Sequence, residues 1–373
     1  MLPEHIKKEL LKDDLKISEI KKTSFEMPKY NESTYYKDIA LNNYFYALLT
    51  LRHYLKFASD NYFGIELGAK NVDLFMITPS VSSPMSPGSD SDPIKIKFGK
   101  LETFLTDSSQ FGFEPLLLNN FDKMYCYLPS MRGEDPDSRH LNQFFHCEFE
   151  MIGTLEKLTP IIENYIKSLC ETTILMSNVI NKISNNANKT REVLEKTINS
   201  NGFPVITFDE AVNLLIKNKK KNCVNFTDHG RNITQKGEIE LMNILHIDTP
   251  IWIKYFDRDR VPFYQKPCLE NKNKTINADL LFPPIIKNAF GGEIIGSGQR
   301  QDNPKEMYES LKRQNNLSPK HYEWYIDLRK LPGYKTTSGF GLGIERFIAW
   351  ALAKENIRDV IPYPRLKNIK MFP

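Results

Sequence analysis

The N-terminal part of the chain changes between helical and strand-like spacing of its apolar residues. The opening stretch MLPEHIKKELLKDDLK is amphipathic and charged, which predicts an exposed helix with a polar connector up to residue 34. Residues 35–62 place apolar side chains at helical spacing and predict one long helix. The stretches VDLFMI (72–77) and IKIKFGK (94–100) have strand character, and SVSSPMSPGSDSDP between them is typical of a loop.

Further along, FDKMYCYLPSMRGE and LNQFFHCEFEMIG predict two strands joined by a polar loop. Residues 155–199 return to helical spacing and predict a helical hairpin, after which PVITFDEAVNLLIKNKKK predicts a short strand and a helix. Strands and turns resume after residue 250, and a last helix is predicted around 344–354. The pattern therefore predicts an α+β fold, an antiparallel sheet flanked by helices. We divide it into a helical extension (1–34) and one domain (35–373) with a helical insertion (155–225).

Composition narrows the class of protein. The 373 residues include 50 Lys and Arg against 46 Asp and Glu, so the near-neutral balance argues against a polyanion-coating protein and against DNA as a partner. No run approaches 18 apolar residues and the N-terminus has no apolar signal segment, which argues against a membrane protein. The five cysteines are far apart without a CxxC pair, so we expect reduced thiols and a cytoplasmic location.

Candidate chemistry is densest in MRGEDPDSRHLNQFFHCEFE, residues 131–150. Strand alternation places an aromatic ring, an imidazole and two carboxylates on one face, a combination more typical of a site than of a solvated surface: Phe144, His146, Glu148 and Glu150. Arg132 and Arg139 bracket the preceding loop, and guanidinium groups bind oxyanions such as phosphate through paired hydrogen bonds.

Two glycine-rich stretches add to this picture. SGFGLGIERF (338–347) places three alternate glycines before a helix whose first turn contains Arg346, and glycine lets a ligand approach the strand closely. GGEIIGSGQR (291–300) contains Glu293 and Arg300 and follows Asp279 in the chain; separated carboxylates of this kind suit Mg²⁺. Each stretch alone is a weak signal, but together they predict a site for ATP, magnesium and a carboxylate substrate.

These stretches resemble the signature motifs of class II aminoacyl-tRNA synthetases of subclass IIb, and most of all the asparaginyl-tRNA synthetase branch. The resemblance rests on RHLNQFFHCEFEM, GGEIIGSGQR, WYIDLR and SGFGLGIERFIAW with NIRDVIPYPR, which occur in family order within residues 35–365. It implies an antiparallel sheet with flanking helices, ATP and Mg²⁺ as cofactors, and a homodimer formed through the helix of residues 35–62.

The resemblance also implies which residues bind ATP. Arg132 would bind the α-phosphate and Glu134 the adenine amino group. Phe144 and Arg346 would stack on the two faces of adenine, with Arg346 also binding the γ-phosphate. His140 would lie near the terminal phosphates.

By the same resemblance, Asp279 and Glu293 would hold magnesium. Glu148 and Gln110 would bind the α-ammonium group of an amino acid, and Arg300 would bind the polar end of its side chain.

The implied reaction needs no protein nucleophile, because the attacking amino-acid carboxylate is already an anion. It displaces pyrophosphate from the α-phosphorus in line, and catalysis consists of positioning and charge neutralisation. We therefore expect Arg132, Arg346 and Glu293 to be catalytic.

The departures from the family decide between functions. Only 34 residues precede the first motif helix, too few for an anticodon-binding barrel, so the leading expectation is an asparagine synthetase-like ligase that transfers the activated acid to ammonia or a small amine. Phe113 stands where aspartate-specific relatives have lysine, which leaves aspartate, asparagine or a related acid open. The alternatives are an enzyme acylating tRNA, for which the basic run 217–221 could contact phosphates, and a catalytically silent binding protein.

Overall fold

An eight-stranded sheet forms the centre of the computed structural model, which describes residues 2–21, 24–82, 91–314 and 319–372. Its strand order is β1-β5-β6-β13-β12-β11-β10-β7. The strands are β1 (Lys70–Asn71), β5 (Lys123–Met131), β6 (Gln143–Ile152), β7 (Val205–Thr207), β10 (Ile251–Lys254), β11 (Asn277–Phe282), β12 (Gly292–Gln299) and β13 (Thr337–Gly343). The six central strands pair antiparallel, which confirms the predicted sheet, while the edge strands β1 and β7 each pair parallel to their neighbour.

Two smaller sheets accompany the main one. They are formed by β2 (Ile77–Thr78), β3 (Lys95–Phe98) and β4 (Leu101–Leu105), and by the hairpin of β8 (Val224–Thr227) and β9 (Gly230–Ile233). The predicted strand 72–77 is wrong over most of its length, because only its last residue belongs to β2. Within the predicted strand 94–100, residues Lys95–Phe98 form β3, and β4 was not predicted. Most of the predicted Pro/Ser/Gly loop, residues 83–90, lies outside the described residues.

Twelve α-helices are present in the described residues. They are α1 (Glu4–Glu19), α2 (Tyr35–Leu41), α3 (Asn43–Asp60), α4 (Gln110–Leu117), α5 (Leu155–Leu175), α6 (Ser177–Ile183), α7 (Ala187–Ile198), α8 (Phe208–Lys217), α9 (Gln235–Ile244), α10 (Pro304–Arg313), α11 (Glu323–Asp327) and α12 (Ile344–Ala351). The helical run predicted for 155–199 forms α5, α6 and α7, and the last predicted helix forms α12. No helix of the described ranges is long and apolar enough to cross a membrane.

The predicted helix 35–62 is interrupted at Asn42. This residue has extended backbone angles, φ −92° and ψ 123°, and its side chain accepts a hydrogen bond from the Tyr44 backbone N–H at 2.9 Å. An asparagine in this role is a favourable N-cap, so it ends α2 and starts α3. A π-helical turn, Asn61–Glu66, then extends α3. The apolar periodicity is continuous across Asn42 and therefore concealed the break.

Helix α1 is packed against the domain and not exposed as predicted. Its apolar residues Leu10 and Ile17 are fully buried in the main core. Asp14, 4% exposed, accepts hydrogen bonds at 3.0 Å from the backbone N–H groups of Asn178 and Val179. Its carboxylate thus satisfies free N–H groups at the N-terminus of α6, where a negative charge is also favoured by the helix dipole.

Helices α3, α5 and α12 cover one face of the sheet, whereas the other, which we call the free face, is open at its centre, with α4 covering it at the β5 side. Phe340 and Leu342 of β13 belong to the main core together with buried residues of α3, α5 and α12. The alternate residues of the same strand are glycines and face the other way, because side chains alternate along a strand.

Candidate active site

Paired glycines form an open floor on the free face of the sheet. The strand register aligns two rows of residues across β6, β13, β12 and β11: Glu150, Gly339, Gly298 and Asn277 in the first, and Glu148, Gly341, Gly296 and Asp279 in the second. In these two rows the central strands β13 and β12 therefore contribute only glycines, while polar side chains stand on both flanks. Above it lies a cavity of about 410 Å³ lined by all ten residues that the sequence analysis named as site residues.

Arg132 and Phe144 lie at the end of the cavity that the motifs predict to bind the nucleotide, and we call it the nucleotide end after that prediction. The guanidinium carbon of Arg132 lies 5.3 Å from the centre of the Phe144 ring, and its Nε atom has no hydrogen-bond partner among the described residues. A buried guanidinium N–H without a partner is costly, so an anion placed here would be stabilised. Glu134 accepts a weak hydrogen bond from the Asp92 backbone N–H at 3.3 Å.

Arg346 lies on the opposite side, in the first turn of α12. Its Nη1 atom donates to the backbone oxygen of Glu293 at 3.1 Å and to the Glu293 carboxylate at 3.3 Å. Burial raises the pKa of Glu293, but Arg346 and Arg139 outweigh it, so the pKa is lowered and the carboxylate stays charged.

Glu293 and Asp279 converge over Gly296. A Cβ atom built on Gly296 would lie 3.5 Å from Oε1 of Glu293 and 3.7 Å from Oδ1 of Asp279. Burial, followed by the charges of Glu293 and Glu238, raises the pKa of Asp279 well above its usual value. Two like charges this close favour a cation between them, and two carboxylates completed by substrate phosphates suit Mg²⁺. The protein side chains of the described chain form no cluster of three or more metal-binding groups.

Glu238 of α9 is a site-supporting residue that the sequence analysis missed. It accepts a hydrogen bond from the Glu293 backbone N–H at 3.1 Å and lies 3.8 Å from Nη2 of Arg139. Burial raises its pKa to about 7, against the lowering effect of Arg139. Arg139 itself donates to the Gly291 backbone oxygen, so it ties the loop before β6 to the start of β12. Helical spacing in α9 gives no signal for this role.

The two histidines differ in their surroundings. His140 lies 2.9 Å from the Asp137 carboxylate, and its pKa is lowered by burial and by Arg346. His146 contacts Ser130 at 3.0 Å, and burial lowers its pKa well below the usual value, so this imidazole is neutral. Its ring lies 4.8 Å from that of Phe144, which confirms that the alternate residues of β6 share one face.

Glu148 and Gln110 lie at the end of the cavity that the motifs predict to bind an amino acid, and we call it the amino-acid end after that prediction. Glu148 accepts hydrogen bonds from the Ser108 hydroxyl and, at 2.8 Å, from the Ser109 backbone N–H, while burial raises its pKa. Gln110 is only 6% exposed, and its Oε1 atom accepts from Arg300. Its Nε2 atom has no partner among the described residues. In this arrangement Gln110 offers the cavity a donor, whereas binding an ammonium group would require its oxygen.

Arg300 is already paired inside the protein. Its Nε and Nη2 atoms donate to the two oxygens of Glu150 at 3.0 and 2.9 Å, and Glu150 is fully buried. Behind this pair, Glu114 of α4 forms a second buried ion pair with Arg329 at 2.7 Å. Since α4 also contains Gln110, this second pair fixes the helix that presents Gln110 to the cavity.

Comparison with known proteins agrees with this geometry. Residues 76–367 match the family model described as tRNA synthetases class II (D, K and N). The chain belongs to this family. Asparagine–tRNA ligase of Mycoplasma genitalium is 30% identical over 342 residues, which are 86% of this chain and 70% of that protein. The resemblance found in the motifs is thereby confirmed, and the chain is an ATP-dependent ligase of the adenylate-forming type.

Solved structures of the class II family extend the comparison. Asparaginyl-tRNA synthetase of Pyrococcus horikoshii in complex with asparaginyl-adenylate is 25% identical with a TM-score of 0.78, and the match covers 91% of this chain and 72% of that one. The Entamoeba histolytica asparaginyl-tRNA synthetase, also with asparaginyl-adenylate, is 23% identical with a TM-score of 0.74 over 93% and 74% of the two chains. The second likeness concerns the fold alone.

Proposed function

We propose that this class II synthetase activates the α-carboxylate of asparagine with ATP and forms asparaginyl-adenylate and pyrophosphate. One observation carries the proposal. The cations Arg132 and Arg346, the Phe144 ring and the acids Asp279 and Glu293 line the same cavity as the paired amino-acid end. Such a cavity can align a carboxylate with an α-phosphorus while neutralising the charge that develops there.

In this proposal each nucleotide contact has a physical purpose. Arg132 binds the α-phosphate through its unpartnered Nε, and Phe144 stacks on adenine. Arg346 covers the opposite adenine face and the γ-phosphate, and His140, kept neutral, donates to the terminal phosphates. Glu134 accepts from the adenine amino group.

Magnesium bound to Asp279 and Glu293 would supply charge neutralisation for the phosphates. Burial, followed by the charges of Glu293 and Glu238, raises the pKa of Asp279, and a bound cation would offset both effects. Glu148, held by two hydrogen bonds from Ser108 and Ser109, is placed to accept from the α-ammonium group.

The charge of the amino-acid end favours asparagine over aspartate. Arg300 would attract a side-chain carboxylate, but Glu150 neutralises it through two hydrogen bonds. No second cation is present at Phe113, which is 1% exposed and packed in an apolar cluster. A carboxylate bound here would lose its hydration without gaining a net positive partner, whereas a neutral amide would lose much less.

ATP–pyrophosphate exchange across a panel of amino acids tests the proposal. We expect Mg²⁺-dependent exchange with asparagine, and at least tenfold lower kcat/KM with aspartate. The control is the same panel with Arg300→Met and Glu150→Met combined, which removes the paired end and should abolish selection. Exchange with aspartate alone, or with no amino acid, contradicts the proposal.

Two kinds of acceptor could take the activated acid, tRNA and ammonia or a small amine. The name of the Mycoplasma relative favours tRNA, while the sequence analysis favoured ammonia or a small amine. AMP release from preformed adenylate distinguishes them: a rise only with tRNA supports tRNA ligation, and a rise with ammonium or amines, followed by mass spectrometry of the amide, supports the tRNA-free ligase. Repeating the tRNA arm at several salt concentrations reports phosphate contacts.

A second copy of the chain is the proposed partner of the α2–α3 surface. Leu41 is 79% exposed and Leu49 46% exposed, and Tyr36 and Tyr46 are also exposed nearby in sequence. Apolar side chains grouped on one pair of helices are typical of an interface between subunits. Light scattering should show a dimer, and Leu49→Glu should convert it to a monomer; a monomeric wild-type chain contradicts this part.

A further inference from the structure

Gln265 is a buried polar residue of the cavity that neither the motifs nor the roles above explain. It lines the cavity, is 8% exposed, and its Oε1 atom has no hydrogen-bond partner among the described residues. An amide oxygen left without a donor in a buried place costs free energy, which is tolerated where a ligand supplies the donor. Gln265 therefore points to a ligand group with an N–H.

The floor of the cavity is shaped to admit this side chain. A Cβ atom built on Gly298 would overlap the Gln265 amide, so only glycine leaves room for it. Gly298 does not have a positive φ, so its backbone conformation does not itself require glycine. The glycine at this position is explained by the amide that lies over it.

The backbone of Gln265 is fixed beside Arg300. Residues Gln265 and Arg300 pair as an isolated antiparallel bridge, and Lys266 donates a backbone hydrogen bond to Gln299 at 2.8 Å. The neighbours Phe263 and Tyr264 are buried in an apolar cluster. The side chain of Gln265 is thus presented from a rigid segment next to the end of the cavity where Arg300 lies.

Gln265 and Gln110 offer opposite hydrogen-bonding atoms at this end. The unpartnered atom of Gln110 is a donor, Nε2, and that of Gln265 is an acceptor, Oε1. Nη1 of Arg300 also makes no hydrogen bond within the described chain and adds a second donor. A primary carboxamide has one acceptor oxygen and one donor NH₂ group, so it complements this set, whereas a carboxylate would place an oxygen against Oε1.

We propose that Gln265 is a specificity-determining residue that accepts a hydrogen bond from the side-chain NH₂ of the amino-acid substrate. Gln110 and Arg300 then donate to the carbonyl oxygen of the same carboxamide. This inference rests on the proposed activation of asparagine and adds to it the group that distinguishes asparagine from aspartate. Selection is strong in such a site because the wrong substrate leaves a buried polar atom unpaired.

Three variants and one control test the inference by pyrophosphate exchange with asparagine and with aspartate. Gln265→Met keeps the volume and removes the acceptor, so KM for asparagine should rise about tenfold while KM for ATP changes less than twofold. The asparagine-to-aspartate ratio of kcat/KM should fall about tenfold. Gln265→Glu keeps an acceptor and repels a carboxylate, so its ratio should equal or exceed that of the wild type.

Gly298→Ala should displace the Gln265 amide, so it should lower the asparagine-to-aspartate ratio of kcat/KM as Gln265→Met does. The matched control is Gln301→Met, because Gln301 is 2% exposed but its Oε1 is bonded to the Asn303 backbone N–H at 2.9 Å and it lies outside the described cavity lining. Its ratio should stay at the wild-type value. A ratio within twofold of wild type in Gln265→Met, or a clearly lower ratio in Gln265→Glu, would overturn the inference while leaving the proposed function intact. Absence of wild-type exchange overturns the proposed function itself.

Discussion

The two ends of the cavity contain the same kinds of charged residue but differ in how far those charges are neutralised by neighbouring side chains. At the nucleotide end, the ion pair of Arg346 and Glu293 is 3.3 Å long, with side chains 19% and 37% exposed, and Arg132 has an unpartnered Nε. At the amino-acid end, the pair of Arg300 and Glu150 is 2.9 Å long, with side chains 5% and 0% exposed. One end keeps its charges available, and the other neutralises them internally.

This difference matches the ligands that the two ends are proposed to bind. A polyphosphate carries several negative charges and needs uncompensated cations, because charge-assisted hydrogen bonds supply most of its binding free energy. A neutral side chain needs oriented donors and acceptors without net charge, since a free buried cation would favour the wrong acid. Substitutions at each end therefore test whether its charges are free or neutralised.

Removing a free charge at the nucleotide end should have the largest effect. Arg132→Ala removes the guanidinium proposed to stabilise the α-phosphate transition state, and we expect kcat for pyrophosphate exchange to fall by about 100-fold to 1,000-fold. The melting temperature should change little, because Arg132 forms no ion pair with the described residues. Near-normal exchange in this variant would refute the role of Arg132.

Removing a compensated charge at the amino-acid end should instead affect stability. Glu150→Gln leaves Arg300 buried without a counter-charge, and we expect the free energy of unfolding to fall by about 3 kcal/mol. The same change should raise kcat/KM for aspartate relative to asparagine, since Arg300 without its counter-charge attracts a carboxylate. Denaturant titration and pyrophosphate exchange measure the two effects. An unchanged free energy of unfolding would contradict the neutralisation of Arg300 by Glu150.

Neutralising one of the converging carboxylates should weaken magnesium binding without harming the fold. Asp279→Asn removes a carboxyl group whose pKa is raised by burial and then by the charges of Glu293 and Glu238, so the metal-free protein should melt at a higher temperature than the wild type. The Mg²⁺ concentration for half-maximal exchange should rise about tenfold. Asp302→Asn, which breaks an ion pair with Lys266, is the control and should leave the Mg²⁺ requirement unchanged. A lower melting temperature for Asp279→Asn contradicts the destabilising effect of the Asp279 carboxyl group.

Replacing Lys354, a buried cation away from both ends of the cavity, should have the smallest effect, a pH-dependent change in melting temperature. Lys354 is 6% exposed, and burial lowers its pKa to about 8, against the raising effect of Asp359. In the unfolded chain this lysine keeps its proton up to about pH 10.5, whereas in the folded protein it loses the proton near pH 8. Burying the charged lysine therefore lowers the free energy of unfolding fully below pH 8, and this penalty disappears as the pH rises towards 10.5. Lys354→Met should therefore melt a few degrees higher than wild type at pH 7, with a difference that shrinks above pH 8.

A melting difference between Lys354→Met and wild type that is constant from pH 7 to pH 10 would contradict that assignment. Lys354 also donates to Asn185 at 3.2 Å, and the loss of this bond is independent of pH, so only the slope tests the charge.

Local patterns sufficed to predict much of the fold and most of the site. Alternation in β6 placed Phe144, His146, Glu148 and Glu150 on one face, because a strand fixes the direction of each side chain without help from other segments. Short-range geometry also explains why Arg346 was correctly placed in the first turn of α12. The break at Asn42 was missed because capping competes with an apolar pattern that continues across it.

Pairings between distant segments could not be predicted in this way. Glu238 meets Glu293 across 55 residues, and Arg329 meets Glu114 across 215 residues of the chain. Neither glutamine of the amino-acid end has a sequence feature that reveals which of its amide atoms lacks a partner. The burial of α1 was likewise hidden, since an amphipathic helix looks the same whether its apolar face meets a core or a different protein.

The ordered motifs, the strand character of the central segments and the residue types able to bind a nucleotide can be read from the chain alone, because each depends on neighbours within a few positions. The tertiary structure decided which of those charges are free and which are neutralised. Whether a charge is neutralised depends on distances in space. Arg132 and Arg300 are both arginines, but Glu150 lies against Arg300 alone and neutralises it, which leaves Arg132 as the cation proposed to bind phosphate.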